Sequence, residues 1–198
     1  HGRVRIMFPL ISGIEEFRIA RLLVREITEN LKSEGHFVHE NVPLGAMVEV
    51  PSSAIMAEEL AREVDFISIG TNDLIQYSLA VDRSNDLVAH LYRPTNPAVL
   101  RLVGKVISAG KAENVGVSMC GEMAADPLMV PVLIGLGLDK FSMNPQAVPV
   151  VRSLIRQLSY REAAQIARQA AKLVTGRDVE EYLLERLAFL LAKTKINV

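Results

Sequence analysis

Several residues able to do chemistry occupy the same kind of position in this chain. Glu49 follows the run "GAMV", Asn72 and Asp73 follow "DFISIG", and Cys120 and Glu122 stand at and just beyond the end of "GVSM". Each run is apolar, small or β-branched, as a buried strand is, so each of these polar groups sits at a strand's carboxyl end. In parallel α/β proteins the loops leaving those ends converge and carry the function.

Glu49 and Asp73 fall at matching depths on successive strands. Two carboxylates brought together repel and favour a divalent cation between them. Mg2+ prefers octahedral oxygen coordination by one or two carboxylates, completed by water and substrate oxygens, and so suits a phosphorylated substrate. The competing readings are an arginine partner for Glu49 and a capping role for Asp73 on a helix beginning at Leu74. Gly70 permits a sharp turn, and the N–H groups opening the next helix, with the Asn72 amide, form an anion site. Arg5 in the first strand and Arg83 in "AVDRSND" could fork onto phosphate or carboxylate, or form ion pairs, and Arg93 in "LYRP" has no stronger claim. Cys120 reads as a packed thiol or as a proton donor to a carbanion or enolate. His1, His36, His39 and His90 fall in no metal-ligand spacing.

Five strands position these groups: "VRIMF", "GAMVEV", "DFISI", "GVSMC" and "KFSM". Helix-like segments alternate with them. "SGIEEFRIARLLVREITENLKSEG" opens with Ser12 and Glu15 spaced as a capping box. "SSAIMAEELAREV" reads as one helix, and "NPAVLRLVGKVISAGKAENV" as another, with Asn96 as N-cap and Pro97 at its first position. The alternation predicts parallel βα units, with helices covering one side of the sheet. Beyond residue 145 the pattern is helical only: "QAVPVVRSLIRQL", "YREAAQIARQAAKLV" behind a Ser159–Glu162 capping box, and "VEEYLLERLAFLLAK". This tail reads as a packing or dimerising end.

With 198 residues, 49% of them hydrophobic, the chain can bury a sizeable core. A net charge of −1 without a basic stripe argues against nucleic acid or anionic lipid. One cysteine excludes an internal disulfide framework, and no apolar run approaches the roughly 20 residues of a membrane span, so a cytoplasmic protein is expected.

"RIMFPLI", "GAMVEVPSSA", "VDFISIGTNDLIQYSLAVDRSND", "LYRPTNPAVLRL", "MCGEMAADP" and "LIGLGLDKFSMNP" resemble, in order and spacing, the C-terminal domain of enzyme I of the phosphoenolpyruvate-dependent phosphotransferase system. The resemblance runs from about Arg3 to about Ala170. It implies a phosphoenolpyruvate-binding (β/α)8 TIM barrel with Mg2+ held by Glu49 and Asp73. It places the phosphate-contacting asparagine on Asn72, substrate-binding arginines on Arg5 and Arg83, pocket-lining backbone at Met47 and Asn72, and the residue that protonates the enolate of pyruvate on Cys120. The family passes the phosphoryl group to a histidine on a separate N-terminal domain, absent from this sequence, and then to the carrier HPr.

A complete barrel usually needs about 250 residues and eight strands. The expectation is therefore the last five strands of a barrel over residues 1–145 and a helical tail over 146–198, with the first three strands and two further substrate arginines missing. Unpaired strand edges invite dimerisation, and the chain by itself is expected to be weakly active or inactive. Pyruvate phosphate dikinase and phosphoenolpyruvate synthase share the barrel and "GTND", but "QYSLAVDR" and the short tail look more like enzyme I, with its sugar and nitrogen branches both open. A non-enzymatic alternative is a barrel fragment that serves as a dimerisation module.

Overall fold

The structure, a computed structural model, describes residues 4–39 and 41–193. Five strands, β1 (Ile6–Phe8), β2 (Leu44–Val48), β3 (Phe66–Gly70), β4 (Gly116–Cys120) and β5 (Lys140–Phe141), form one all-parallel sheet in sequential order. Sequential parallel strands joined through helices build the wall of a (β/α) barrel. A doubly wound sheet would instead reverse its strand order at a switch point.

The register explains the composition of the strands. Side chains alternate between faces, and Met47 pairs with Ser68, Ser68 with Ser118, and Gly70 with Cys120. One face therefore carries Met47, Ser68, Gly70, Ser118 and Cys120. The other carries Ala46, Val48, Ile67, Ile69, Val117 and Met119, all buried in the main core. At the amino end of the first face the Phe66 ring fills the space over Gly45, where an added Cβ would lie 2.5 Å from it.

Helix α1 (Ile14–Ser33) buries Phe17, which meets Phe8 edge-on at 6.1 Å, but leaves Ile19, Leu22, Leu23 and Ile27 exposed. Its start differs from the expected capping box. Gly13 is the N-cap without a side-chain bond, and Glu16, not Glu15, reaches back to the Ser12 N–H at 2.7 Å. "SSAIMAEELAREV" is two short helices, α2 (Pro51–Ile55) and α3 (Ala57–Ala61). The break at Met56 (φ −92°, ψ 24°) lets both pack on the helix that follows β3's own.

Helix α4 (Thr71–Leu79) starts directly after β3, three residues before the expected Leu74, so Asp73 lies within its first turn and is not its cap. Helix α5 (Pro97–Ala112) keeps the expected cap, Asn96 Oδ1 accepting the Ala98 N–H at 2.9 Å, and buries Val99, Val103, Val106 and Ile107 at helical spacing.

Two helices go beyond the elements read from the sequence: α6 (Glu122–Ala125) and α7 (Val130–Leu136). Pro127 and Pro131 punctuate that stretch, but Pro131 lies in the first turn of α7, where a missing N–H costs nothing. In the tail, α8 (Val148–Gln157), α9 (Tyr160–Ala170) and α10 (Gly176–Lys193) follow the expected order. The Ser159–Glu162 capping box is formed, and α9 packs closely against α7, tying the tail to the α/β layer. No helix among the described residues is long and apolar enough to cross a membrane.

Candidate functional site

The carboxyl end of β2 brings Glu49 into the interior. Only 4% of it is exposed, and its Oε1 accepts the Leu10 N–H at 2.7 Å. Leu10 offers that N–H from a left-handed backbone (φ 52°), a conformation that costs a leucine about 1 kcal/mol or more. The carboxylate is thus held by main chain, and among the described residues no arginine pairs with it. Asp73, in the first turn of α4, faces it. Burial, foremost, and then the negative charge of Asp73 push the Glu49 carboxyl above its ordinary value, against the pull of the Leu10 bond. Among the described residues no third His, Cys, Asp or Glu joins the pair.

Gly70 makes this approach possible. A Cβ there would run into Glu49 Oε2 and lie 2.8 Å from Glu49 Cβ and 3.0 Å from Met47 Sδ. Met47 therefore lines the same wall. On the other side of β3, Asn72 Oδ1 accepts the Glu122 N–H at 3.1 Å. That bond fixes which end of the amide is oxygen and leaves the NH2 group to donate, as an anion site needs. Thr71 Oγ1 donates to the Cys120 carbonyl at 3.1 Å, joining the starts of the two βα loops. Gly121 permits this junction. Its φ of +100° is a conformation open essentially to glycine, and a Cβ would meet Thr71 Oγ1 and lie 2.9 Å from Asn72 Oδ1.

Cys120 is partly exposed, in line with Gly70. Its sulfur accepts from Ser68 Oγ at 3.6 Å and donates to the Ile69 carbonyl at 3.6 Å. Together with Asn72, Gly121, Glu122, Asp126 and Asn144 it lines a cleft of about 450 Å³. Glu49, Asp73 and Met47 are not part of that lining. Burial raises the Asp126 carboxyl, while its bond from the Leu128 N–H at 2.8 Å lowers it.

Arg83 stands at the rim, its backbone N–H bonded to Gln76 Oε1 at 3.3 Å. Burial, foremost, pushes the Tyr92 hydroxyl above its ordinary value; the Arg83 charge pulls it down, and Glu122 and Asp73 raise it further. Tyr92 donates to the Asn72 carbonyl at 3.3 Å. Tyr92, Thr71 and Gly121 join the site through contacts that spacing alone does not reveal, and "LYRP" carries the tyrosine beside Arg93.

Arg5 is not brought to this constellation. Its guanidinium lies 5.5 Å from the centre of the Phe66 ring, at the amino end of β3, while the site lies at the carboxyl end beyond Gly70. Four residues of strand separate the two levels, about 13 Å at 3.3 Å per residue. There the guanidinium makes a cation–π contact. Arg93 forms an exposed ion pair with Glu180 at 3.4 Å.

The fold and these strand-end groups define a parallel βα protein with a cluster of polar side chains on the carboxyl rim of its sheet. Residues 1–160 match the family model described as "PEP-utilising enzyme, PEP-binding domain", and the chain belongs to that family. The phosphoenolpyruvate-protein phosphotransferase of Staphylococcus carnosus (strain TM300) is 48% identical over 184 residues, covering 93% of this chain and 32% of that protein. The protein of the same name from Bacillus sp. (strain S) is 46% identical over 183 residues, covering 92% and 32%. The chain thus spans about a third of the length of the curated relatives it matches. A solved citrate lyase from Burkholderia xenovorans LB400 shares the fold, with a TM-score of 0.53 at 17% identity over 96% of this chain and 64% of that one.

Proposed function

We propose that this chain is the phosphoenolpyruvate-binding part of a phosphoenolpyruvate-protein phosphotransferase: barrel strands over residues 1–145 and a helical tail over 146–198. The observation that carries the proposal is the buried Glu49 held against Asp73, beside the oriented Asn72 amide and the Cys120 thiol on one rim. Glu49 to Cys120 spans two strand spacings, roughly 10 Å, which suits a three-carbon phosphate ester.

Glu49 and Asp73 are the residues that would hold Mg2+. Two oxygen-bearing side chains forced together, one of them resisting ionisation in the cation's absence, fit its preference. When bound, the ion neutralises phosphate and carboxylate charge. The Asn72 NH2 donates to the phosphate, Arg83 supplies a charged fork at the rim, and Met47 and the backbone beside it shape the wall. Electron density moves onto the enolate as the P–O bond breaks, and the Cys120 thiol delivers its proton to carbon 3 to give pyruvate. The phosphoryl group goes to a histidine on an N-terminal domain and then to HPr. The exposed Ile19, Leu22, Leu23 and Ile27 of α1 support self-association as a homodimer, and the proposed site of action is the cytoplasm.

The test is turnover in the full-length protein. Cys120→Ala should lower pyruvate formation at least about a hundredfold, the range of general acid–base catalysis, and Glu49→Gln should abolish Mg2+-dependent turnover. Unchanged rates in both variants would end this reading.

A further inference from the structure

We propose that Ser68 is a positioning residue for the Cys120 thiol, holding the sulfur at the cleft and stabilising the thiolate left after proton delivery. This rests on the reading of Cys120 as the proton donor. Ser68 is 5% exposed and lies on the site face of β3, two residues before Gly70, whose register partner is Cys120. A hydroxyl that deep needs a partner, and its partner is the sulfur, 3.6 Å away. Ser118, directly across from it, is committed elsewhere: its Oγ donates to the Ile67 carbonyl at 3.1 Å. Of these two neighbouring serines only Ser68 is bonded to the thiol.

The two bonds at sulfur have different uses. In the resting thiol the S–H donates to the Ile69 carbonyl, which sets the rotamer. In the chemical step the enolate π pair forms the new C–H bond at carbon 3, the S–H bond breaks, and sulfur keeps its electron pair. The Ile69 carbonyl then faces an anion and no longer stabilises it. The Ser68 O–H remains as the donor to the thiolate, until water returns a proton after pyruvate leaves. Hydrogen bonds to charged groups stabilise more than neutral ones, so Ser68 acts mainly on the state that follows proton transfer.

The experiment compares Ser68→Ala, Ser68→Cys and Ser68→Thr with wild type and Cys120→Ala in the full-length protein. It measures kcat and KM for phosphoenolpyruvate with Mg2+, and the rate at which iodoacetamide alkylates Cys120 at one fixed pH, read on the isolated peptide by mass. Losing one hydrogen bond to an anionic sulfur should lower both kcat and the alkylation rate about tenfold in Ser68→Ala, with KM unchanged. Ser68→Cys, nearly the same shape with a weaker donor, should fall between Ser68→Ala and wild type, and supplies the comparison if Ser68→Ala does not fold. Ser68→Thr retains the hydroxyl and should restore both rates. Wild-type rates in Ser68→Ala or Ser68→Cys, with turnover lost in Cys120→Ala, would overturn the role of Ser68 and leave that of Cys120 standing. Full turnover in Cys120→Ala would overturn the proton-donor reading and with it this one.

Discussion

Gly70→Ala places one methyl group where the site has no room for it. The Gly70 backbone (φ −87°) accepts alanine without strain, so the cost is steric. The new carbon would overlap Glu49 Oε2 and crowd Glu49 Cβ at 2.8 Å and Met47 Sδ at 3.0 Å. Glu49 is buried and must rotate away, giving up its 2.7 Å bond from Leu10. A hydrogen bond to a charged group contributes about 1.5 kcal/mol or more, and crowding a packed wall costs about 1 kcal/mol or more. Reduced freedom of the unfolded chain returns about 0.5 kcal/mol. The expected loss is about 2 kcal/mol, or a melting temperature lower by about 6 °C for a chain of this size.

The control is Gly104→Ala in α5, where the added carbon meets only Leu136 Cδ2 at 3.4 Å and alanine favours the helix by about 0.5–1 kcal/mol. Thermal melting followed by circular dichroism separates the two. A Gly70→Ala protein as stable as Gly104→Ala would refute the claim that Gly70 exists to admit Glu49.

Gly121→Ala should be more damaging, because both the backbone (φ +100°) and the contact with Asn72 Oδ1 at 2.9 Å oppose it; a loss of at least about 2 kcal/mol is expected by chemical denaturation. Glu49 titrates above its ordinary 4.5 in the fold, so the folded state favours its protonated form. The metal-free wild type should therefore lose stability relative to Glu49→Gln as pH rises from 4.5 through the raised value, and the two should converge below 4.5. Urea midpoints from pH 4 to pH 8 check this, and parallel curves would contradict it. Asn72→Asp removes the amide donor and sets a negative charge where phosphate is proposed to bind; calorimetry should show phosphoenolpyruvate affinity reduced at least about tenfold.

The βα alternation was legible because the strand-like runs are closed by turn residues, such as Pro9, Gly70 and Gly121. The rim positions of Glu49, Asn72, Asp73 and Cys120 followed directly from those ends. Other features depend on tertiary context. Alternation fixes only the relative faces of residues within one strand, so the registers that align Ser68 with Ser118 and Gly70 with Cys120 emerge only from pairing. Arg5 read as a ligand because a charged residue in a strand demands an anion or solvent. The Phe66 ring, across the sheet and distant in sequence, supplies a third solution. Helix α7 is only seven residues long and carries a proline, a residue that usually ends a helix, although Pro131 occupies its first turn. Gly121 and Tyr92 act through the backbone and hydroxyl contacts of neighbouring loops, which spacing does not reveal.

If Glu49 and Asp73 together form a cation site that a phosphorylated three-carbon acid completes, titration calorimetry of phosphoenolpyruvate into the full-length protein, with and without Mg2+, should show it. Binding should require Mg2+ in the wild type and be lost in both Glu49→Gln and Asp73→Asn. Binding of equal strength without Mg2+, or undiminished in those two variants, would contradict it.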